Sequence, residues 1–260
     1  MRIVVCVKYV PDLQSDRSLD ADGRLVRGLD DAINELDENA VEAAVSLAEQ
    51  TEAEVVALTV GPEDAVDAVR RALQMGATSG VHVLDDRIAG ADVVGTARVL
   101  AAAVRTVERD GPVDLVVTGM ATMDGLTSMV PAALAAVLDR PALTLASSVS
   151  LADRAVTITR SIGDADEQQS AGLPLVLSVT DQLNEPRIPG AASLMSARKK
   201  PVATFSLDEL DGGAAAGETL TGTAVLSAEP RPPRETGRII TDTGDAGEKL
   251  AAFLVEQKLV

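Results

Sequence analysis

The strongest case for chemistry lies in one short segment, Thr118-Gly119-Met120-Ala121-Thr122-Met123-Asp124-Gly125-Leu126-Thr127-Ser128. It leaves an apolar run, enters a helical pattern and carries glycines at 119 and 125. Unpaired backbone N–H groups and the helix dipole at such a junction suit a phosphate, and Thr127 and Ser128 add hydroxyl donors at the expected helix start. The same residues also read as a plain strand–helix connection with a capping hydroxyl, and spacing alone does not separate the two. Asp124 either bonds a ribose hydroxyl or caps the helix. Cys6 either backs a nucleotide or is an ordinary buried thiol. His82, between Val81 and Val83, reads as a structural strand histidine. Other catalytic patterns are missing: no G-x-G-x-x-G follows the first apolar run, and neither G-x-x-x-x-G-K-[ST] nor G-x-S-x-G occurs. A Ser-His-Asp triad would have to use His82. The residues favour binding over bond-making.

The elements that must position this segment alternate. Ile3 to Val7, Glu54 to Val60, Gly80 to Leu84, Asp114 to Thr118 and Leu175 to Thr180 read as buried strands. Between them, helices are expected over Asn34 to Gln50, from Gly61-Pro62-Glu63-Asp64 through Met75, over Ala91 to Glu108, and from about Leu126 to Leu138. This alternation predicts an α/β fold, a doubly wound and mostly parallel sheet with helices on both faces. Residues 13 to 33 read as a loop or short hairpin around Asp22-Gly23. Leu143 to Leu151 and Ala155 to Ile162 read as a β-hairpin. In such sheets ligands sit beyond the strands' carboxyl ends where strand order reverses. That places Cys6-Val7-Lys8 and Val60-Gly61-Pro62 beside the 118–128 segment.

Composition narrows the function classes. The formal net charge of −17 opposes binding to nucleic acid or to an anionic membrane surface. One Cys and one His cannot form a four-ligand zinc site or a four-thiolate iron–sulfur cluster, so any redox role needs a bound organic cofactor. With no Trp, Tyr9 alone, and Phe205 and Phe253 late in the chain, the main domain is expected to have an aliphatic core. Met1-Arg2 runs into an apolar stretch too short for a signal h-region or a membrane span, which reads as a cytoplasmic protein. The last quarter is different. Residues 211 to 238 are rich in Gly, Ala, Thr and Pro, and Ala246 to Leu259 reads as an amphipathic helix. A tail with little core of its own is expected to wrap a neighbour.

At Leu183-Asn184-Glu185-Pro186-Arg187 and at Met195-Ser196-Ala197-Arg198-Lys199-Lys200-Pro201, the sequence resembles the β subunit of electron transfer flavoproteins. Further matches follow in order at Val7 to Asp12, Asn34 to Ala44, Ala72 to Ala77 and Asp114 to Gly125, and Gly237 and the closing helix also fit. The resemblance implies a heterodimer with an α subunit that holds most of the FAD, while the β subunit completes that site and carries structural AMP in an adenine-nucleotide hydrolase-like fold. Carried over by position, the AMP contacts fall on Cys6, on Asn34, Glu35, Leu36 and Asp37, on Val60, and on Gly119 through Met129 and Val130. Asp12 and Leu13 would approach the flavin. Family members pass electrons from acyl-CoA and other dehydrogenases to a membrane-bound quinone oxidoreductase, without catalysing a reaction of their own. The partner-docking loop would comprise residues 184–200, with Asn184, Glu185, Pro186, Arg187, Ile188, Ala191, Leu194 and Met195 as contacts. The expected domains are 1–183 for nucleotide binding, 184–200 for partner recognition, and 201–260 as an arm wrapping the α subunit.

Two departures from the family pattern stand out. The bulky apolar anchor of the docking loop falls on Ala191, which leaves Ile188 or Leu194 to substitute for it. The family's phosphate loop often carries several acids and a Gln-x-Gly further on, whereas here Met129 and Val130 offer no side-chain donors, leaving backbone donors. Two alternatives share the fold class: a flavin-bifurcating relative with a second FAD in place of AMP and NADH oxidation, and an ATP-binding stress-protein-like homodimer.

Overall fold

The structure is a computed structural model and describes every residue except 29, 214–219, 230–231, 235–236 and 238. Part of the Gly/Pro-rich stretch at 211–238 therefore lies outside the described residues. The chain divides into two units, Met1–Ala228 and Glu229–Val260.

The first unit is built on a seven-stranded sheet. Its strands are β1 (Arg2–Cys6), β4 (Glu54–Val60), β5 (Ser79–Val83), β6 (Leu115–Gly119), β7 (Ala142–Ala146), β11 (Leu175–Val179) and β12 (Val202–Phe205), in the order β12-β5-β4-β1-β6-β11-β7. All pairings in it are parallel. From β1 the chain builds outward through β4 to β5, then returns to place β6 on β1's other side, so strand order reverses between β1 and β6. A parallel sheet buries both faces, which is why these strands are runs of Val, Leu and Ile rather than alternating patterns.

Ile3, Val5, Ala57 and Val117 face α1 (Glu35–Thr51) and α2 (Val66–Met75). Val4, Val56, Leu58 and Val116 face α3 (Val93–Val107) and α4 (Val130–Leu138). The expected doubly wound sheet is present. The buried core is aliphatic, but Tyr9 packs against its first face and Phe205, on the edge strand β12, against its second, so the domain is not wholly free of aromatics.

Several expectations need correction. The anticipated hairpin is present over residues 148–162, but its first strand begins later than expected, because residues 142–146 belong to the parallel sheet. Leu145 takes a left-handed φ of 61°, and the chain splits there into the sheet strand β7 and a separate antiparallel meander. The meander comprises β8 (Ser148–Ala152), β9 (Ala155–Ile162) and β10 (Ala165–Gly172). The residues after Lys8 form β2 (Tyr9–Pro11), paired antiparallel with β3 (Asp31–Ile33), and between them Leu19 and Leu25 form an isolated bridge. Helix α4 begins at Val130 rather than near Leu126, because Leu126 and Ser128 adopt left-handed φ values of 50° and 53° that no α-helix tolerates. The 184–200 segment is not all loop, since Ala191–Ala197 forms helix α5. The boundary expected at 200/201 falls inside the first unit, because β12 pairs along β5 from Val202 to Phe205.

Beyond β12, Leu220 is buried in the second core face, and Asp92 at the start of α3 accepts the Gly222 N–H at 2.8 Å. A Cβ on Gly95 would meet the Leu220 carbonyl oxygen at 2.0 Å, so glycine is required where Leu220 lies against α3. The second unit contains α6 (Ala246–Glu256). None of its residues is buried, and Leu250, Val255 and Leu259 are exposed.

Candidate functional site

The carboxyl ends of β1 and β6 and the start of α1 meet at the switch point. Asn34, just before α1, is fully buried. Its Nδ2 donates to the Ala121 carbonyl at 2.9 Å and its Oδ1 accepts the Met123 N–H at 3.0 Å. One turn on, Asp37 Oδ2 accepts the Lys8 N–H at 2.8 Å. The same carboxylate lies against Gly119, where a Cβ would stand 2.5 Å from Asp37 Oδ1 and 2.7 Å from the Leu36 carbonyl. Two polar residues of one helix terminus thus stitch the end of β1 to the loop leaving β6, and Gly119 is there because only a residue without Cβ lets the three segments approach so closely.

Burial pushes the Asp37 carboxyl up to about 7 despite its bonds to Asn34, Lys8 and Gly119. Burial, with the Asp37 charge nearby, pushes Cys6 up to about 12, so at neutral pH it is an un-ionised buried thiol.

Asp124 neither caps α4 nor stands free. Its side chain is only 4% exposed; Lys8 Nζ lies 2.8 Å from Oδ2, and the Arg27 guanidinium contacts the same oxygen. Burial raises this carboxyl, but Lys8 and Arg27 outweigh burial and hold it below the usual carboxylate range. Arg27 also donates to the Tyr9 carbonyl at 3.0 Å, and Arg17 donates to the Met123 carbonyl at 3.0 Å. Two arginines from the 13–30 stretch therefore fasten it to the loop after β6. The sequence reading missed these ties, which join residues about a hundred positions apart. The available signal was the run of three arginines, Arg17, Arg24 and Arg27, in an acid-rich stretch.

Of the expected site residues, Cys6, Asn34, Asp37 and Gly119 to Asp124 converge on this crevice, with Val60 ending the strand next to β1. The side-chain polar atoms of Asn34 and Asp37 are engaged within the chain. Gly125 to Met129 are exposed, Leu126 and Met129 among them as large apolar side chains. Thr127 and Ser128 precede α4 rather than opening it. Pro131 has no N–H and the Ala133 N–H bonds the Met129 carbonyl at 3.0 Å, which leaves Val130 and Ala132 as the first-turn N–H groups without intrahelical partners. Asp12 and Leu13 are exposed at the end of the β2–β3 ribbon, and with Val10, Ile33, Glu35 and Met123 they line a small pocket. His82 is buried with Nε2 3.1 Å from the carbonyls of Gly61 and Pro62, a structural arrangement. Among the described residues no cluster of His, Cys, Asp or Glu could hold a metal ion, and no helix is long and apolar enough to cross a membrane.

In the 184–200 segment, Asn184 and Arg187 turn inward onto α1. Ile188, Leu194 and Met195 are exposed, as are Glu185 and Ala191, while Pro186 is half-buried.

The fold and this crevice define a doubly wound α/β domain with its candidate site at a parallel-sheet switch point. A family model described as "Electron transfer flavoprotein domain" matches residues 23–210. The chain is 38% identical to the electron transfer flavoprotein subunit beta of Mycobacterium tuberculosis (strain ATCC 25618 / H37Rv), over 99% of each protein, and 38% identical to that of Mycobacterium leprae (strain TN) at the same coverage. It is 29% identical, over 100% of each, to the caffeyl-CoA reductase-Etf complex subunit CarD of Acetobacterium woodii. The chain belongs to the electron transfer flavoprotein β-subunit family.

Proposed function

We propose that the chain is the nucleotide-holding half of a heterodimeric electron carrier. It binds AMP as a structural ligand at the crevice between β1 and β6 and completes an FAD site held mainly by an α subunit. Electrons then pass from acyl-CoA and other dehydrogenases to a quinone oxidoreductase. The observation that carries this reading is the stitched loop 119–130, in a chain that matches β subunits along its whole length. Its glycine-required approach at Gly119 and the Val130 and Ala132 N–H groups at the start of α4 fit a nucleotide phosphate held by backbone donors.

In this reading Cys6 and Val60 wall the crevice, and Asn34 and Asp37 keep β1 and the loop in register. Asp12 and Leu13 face the FAD, which supplies the redox chemistry when bound. The chain's own part is to position. The uncovered apolar face of α6 suits a helix that packs on the α subunit, and the exposed Ile188, Leu194 and Met195 suit a dehydrogenase contact.

A second reading is a bifurcating complex in which the crevice takes a second FAD and the assembly oxidises NADH. The likeness to a subunit of the caffeyl-CoA reductase-Etf complex favours keeping it. The nucleotides released on denaturing the complex co-expressed with its α subunit, identified by chromatography and mass, separate the readings. One FAD and one AMP per heterodimer is the expected result. Two FAD and no AMP would move the chain to the bifurcating class, and ATP without flavin would overturn both readings.

A further inference from the structure

Residues 184–200 are fastened at both ends; between them α5 rests on α2 through the buried Ala197, while Ile188, Leu194 and Met195 are uncovered. At the first end, Asn39 Nδ2 donates to the Asn184 carbonyl at 2.9 Å and Asn184 Nδ2 donates to the Asn39 carbonyl at 3.1 Å. Arg187 Nε donates to Glu42 Oε2 at 2.7 Å, and Nη1 donates to Glu49 Oε1 at 2.6 Å. The Arg187 backbone N–H also reaches Glu42 Oε2, at 3.0 Å. Glu42 and Glu49 are two turns apart on α1 and share a face, so one planar guanidinium fork meets both. The Glu42 side chain is only 11% exposed, which sets this pair apart from ordinary surface ion pairs. At the second end, Lys200 Nζ donates to the carbonyls of Leu73 at 2.8 Å and Ala77 at 2.6 Å, closing the C-terminal end of α2. Between these anchors Ile188 is 92% exposed and Met195 71% exposed.

We propose that Glu42 and Glu49 on α1, together with Lys200 on the end of α2, are positioning residues that, with the packing of Ala197, clamp the 188–197 stretch and its exposed Ile188, Leu194 and Met195 in one geometry before a partner arrives. The proposal rests on reading that stretch as the docking surface for an electron-donating dehydrogenase. A free segment of this length must be ordered on docking, and that ordering weakens association. A segment pinned at both ends meets its partner already ordered, so a larger fraction of carriers is competent at any moment.

The test uses the heterodimer co-expressed with its α subunit and a purified acyl-CoA dehydrogenase reduced by its acyl-CoA. The clamp variants are Glu42→Gln and Lys200→Met, with Glu49→Gln as the milder form should Glu42→Gln fail to assemble. Met195→Ser probes the surface itself. In the clamp variants, amide exchange across 188–197 should quicken about tenfold. KM for the dehydrogenase should rise about fivefold, with kcat and FAD content unchanged. Met195→Ser should raise KM without changing exchange. Exchange as slow as wild type in the clamp variants overturns the clamp, and a raised KM for Met195→Ser then leaves the docking surface standing. Faster exchange with every variant transferring electrons like wild type means that 188–197 is not the docking surface, and the positioning role falls with it.

Discussion

Replacing Asp37 with Asn isolates one buried charge. The carboxyl lies at about 7 in the folded chain, raised by burial against its bonds to Asn34, Lys8 and Gly119, and at about 3.9 in an unfolded one. The folded state therefore holds this proton to higher pH than the unfolded state. Asp37's contribution to stability is full below the unfolded value, is lost as pH rises through about 7, and levels off above that. Integrated between about pH 5.5 and about pH 8.5, the loss is about 2 kcal/mol. In a domain of this size, that is a fall in Tm of about 4–8 °C. Asn is neutral throughout, so the variant should lack this part of the slope.

The variant should also be the less stable protein at the acidic end, because an amide NH2 now faces one of the N–H groups that the carboxylate accepts. Thermal unfolding of wild type and variant across that pH range gives the comparison directly, since every other titrating group is common to both. Parallel pH profiles would refute the argument, and would mean that the site at the end of β1 relaxes or admits water enough to leave Asp37 at its ordinary value.

Gly119→Ala should destabilise the domain by about 1–3 kcal/mol, because its Cβ would stand 2.5 Å from Asp37 Oδ1 and 2.7 Å from the Leu36 carbonyl. The same variant should lower the nucleotide-to-protein ratio of the purified heterodimer, and a full ratio at wild-type Tm would contradict the stitched-loop reading. A chain ending at Ala228 should keep the circular dichroism and Tm of the sheet domain yet fail to co-purify with the α subunit; one-to-one recovery would show that α6 is not needed for assembly.

The sheet was legible where burial on both faces leaves uninterrupted apolar runs, as in Ile3 to Val7 and Asp114 to Thr118. Strand β10 was not, because Ala-Asp-Glu-Gln-Gln-Ser-Ala-Gly has almost no β-formers and is held by its pairing to β9. β12 was hidden by its four-residue length and by the basic, proline-containing stretch before it. The start of α4 was placed too early because left-handed Leu126 and Ser128 carry no glycine to announce them. At the site, topology and the two glycines pointed to the loop that lies at the switch point between β1 and β6. The roles of its polar residues could not be read in advance, since Asp124's partners lie at positions 8 and 27 and become neighbours only when the sheet closes. The 184–200 segment shows the same limit: the sequence reading gives Arg187 to a partner contact, but α1 presents two carboxylates at the spacing that turns it inward.

The scarcity of aromatic side chains gives this chain a further property, an optical one. With no tryptophan and Tyr9 as its single tyrosine, its near-ultraviolet emission comes from one place, the β2 strand beside Lys8. Tyr9 sits where Arg27 grips the main chain, and its hydroxyl is raised by burial and by the nearby Asp67, Asp31 and Asp64 charges. The isolated chain thus carries a built-in fluorophore whose intensity and titration report on the 13–30 stretch and its hold on the loop after β6, without any label being attached.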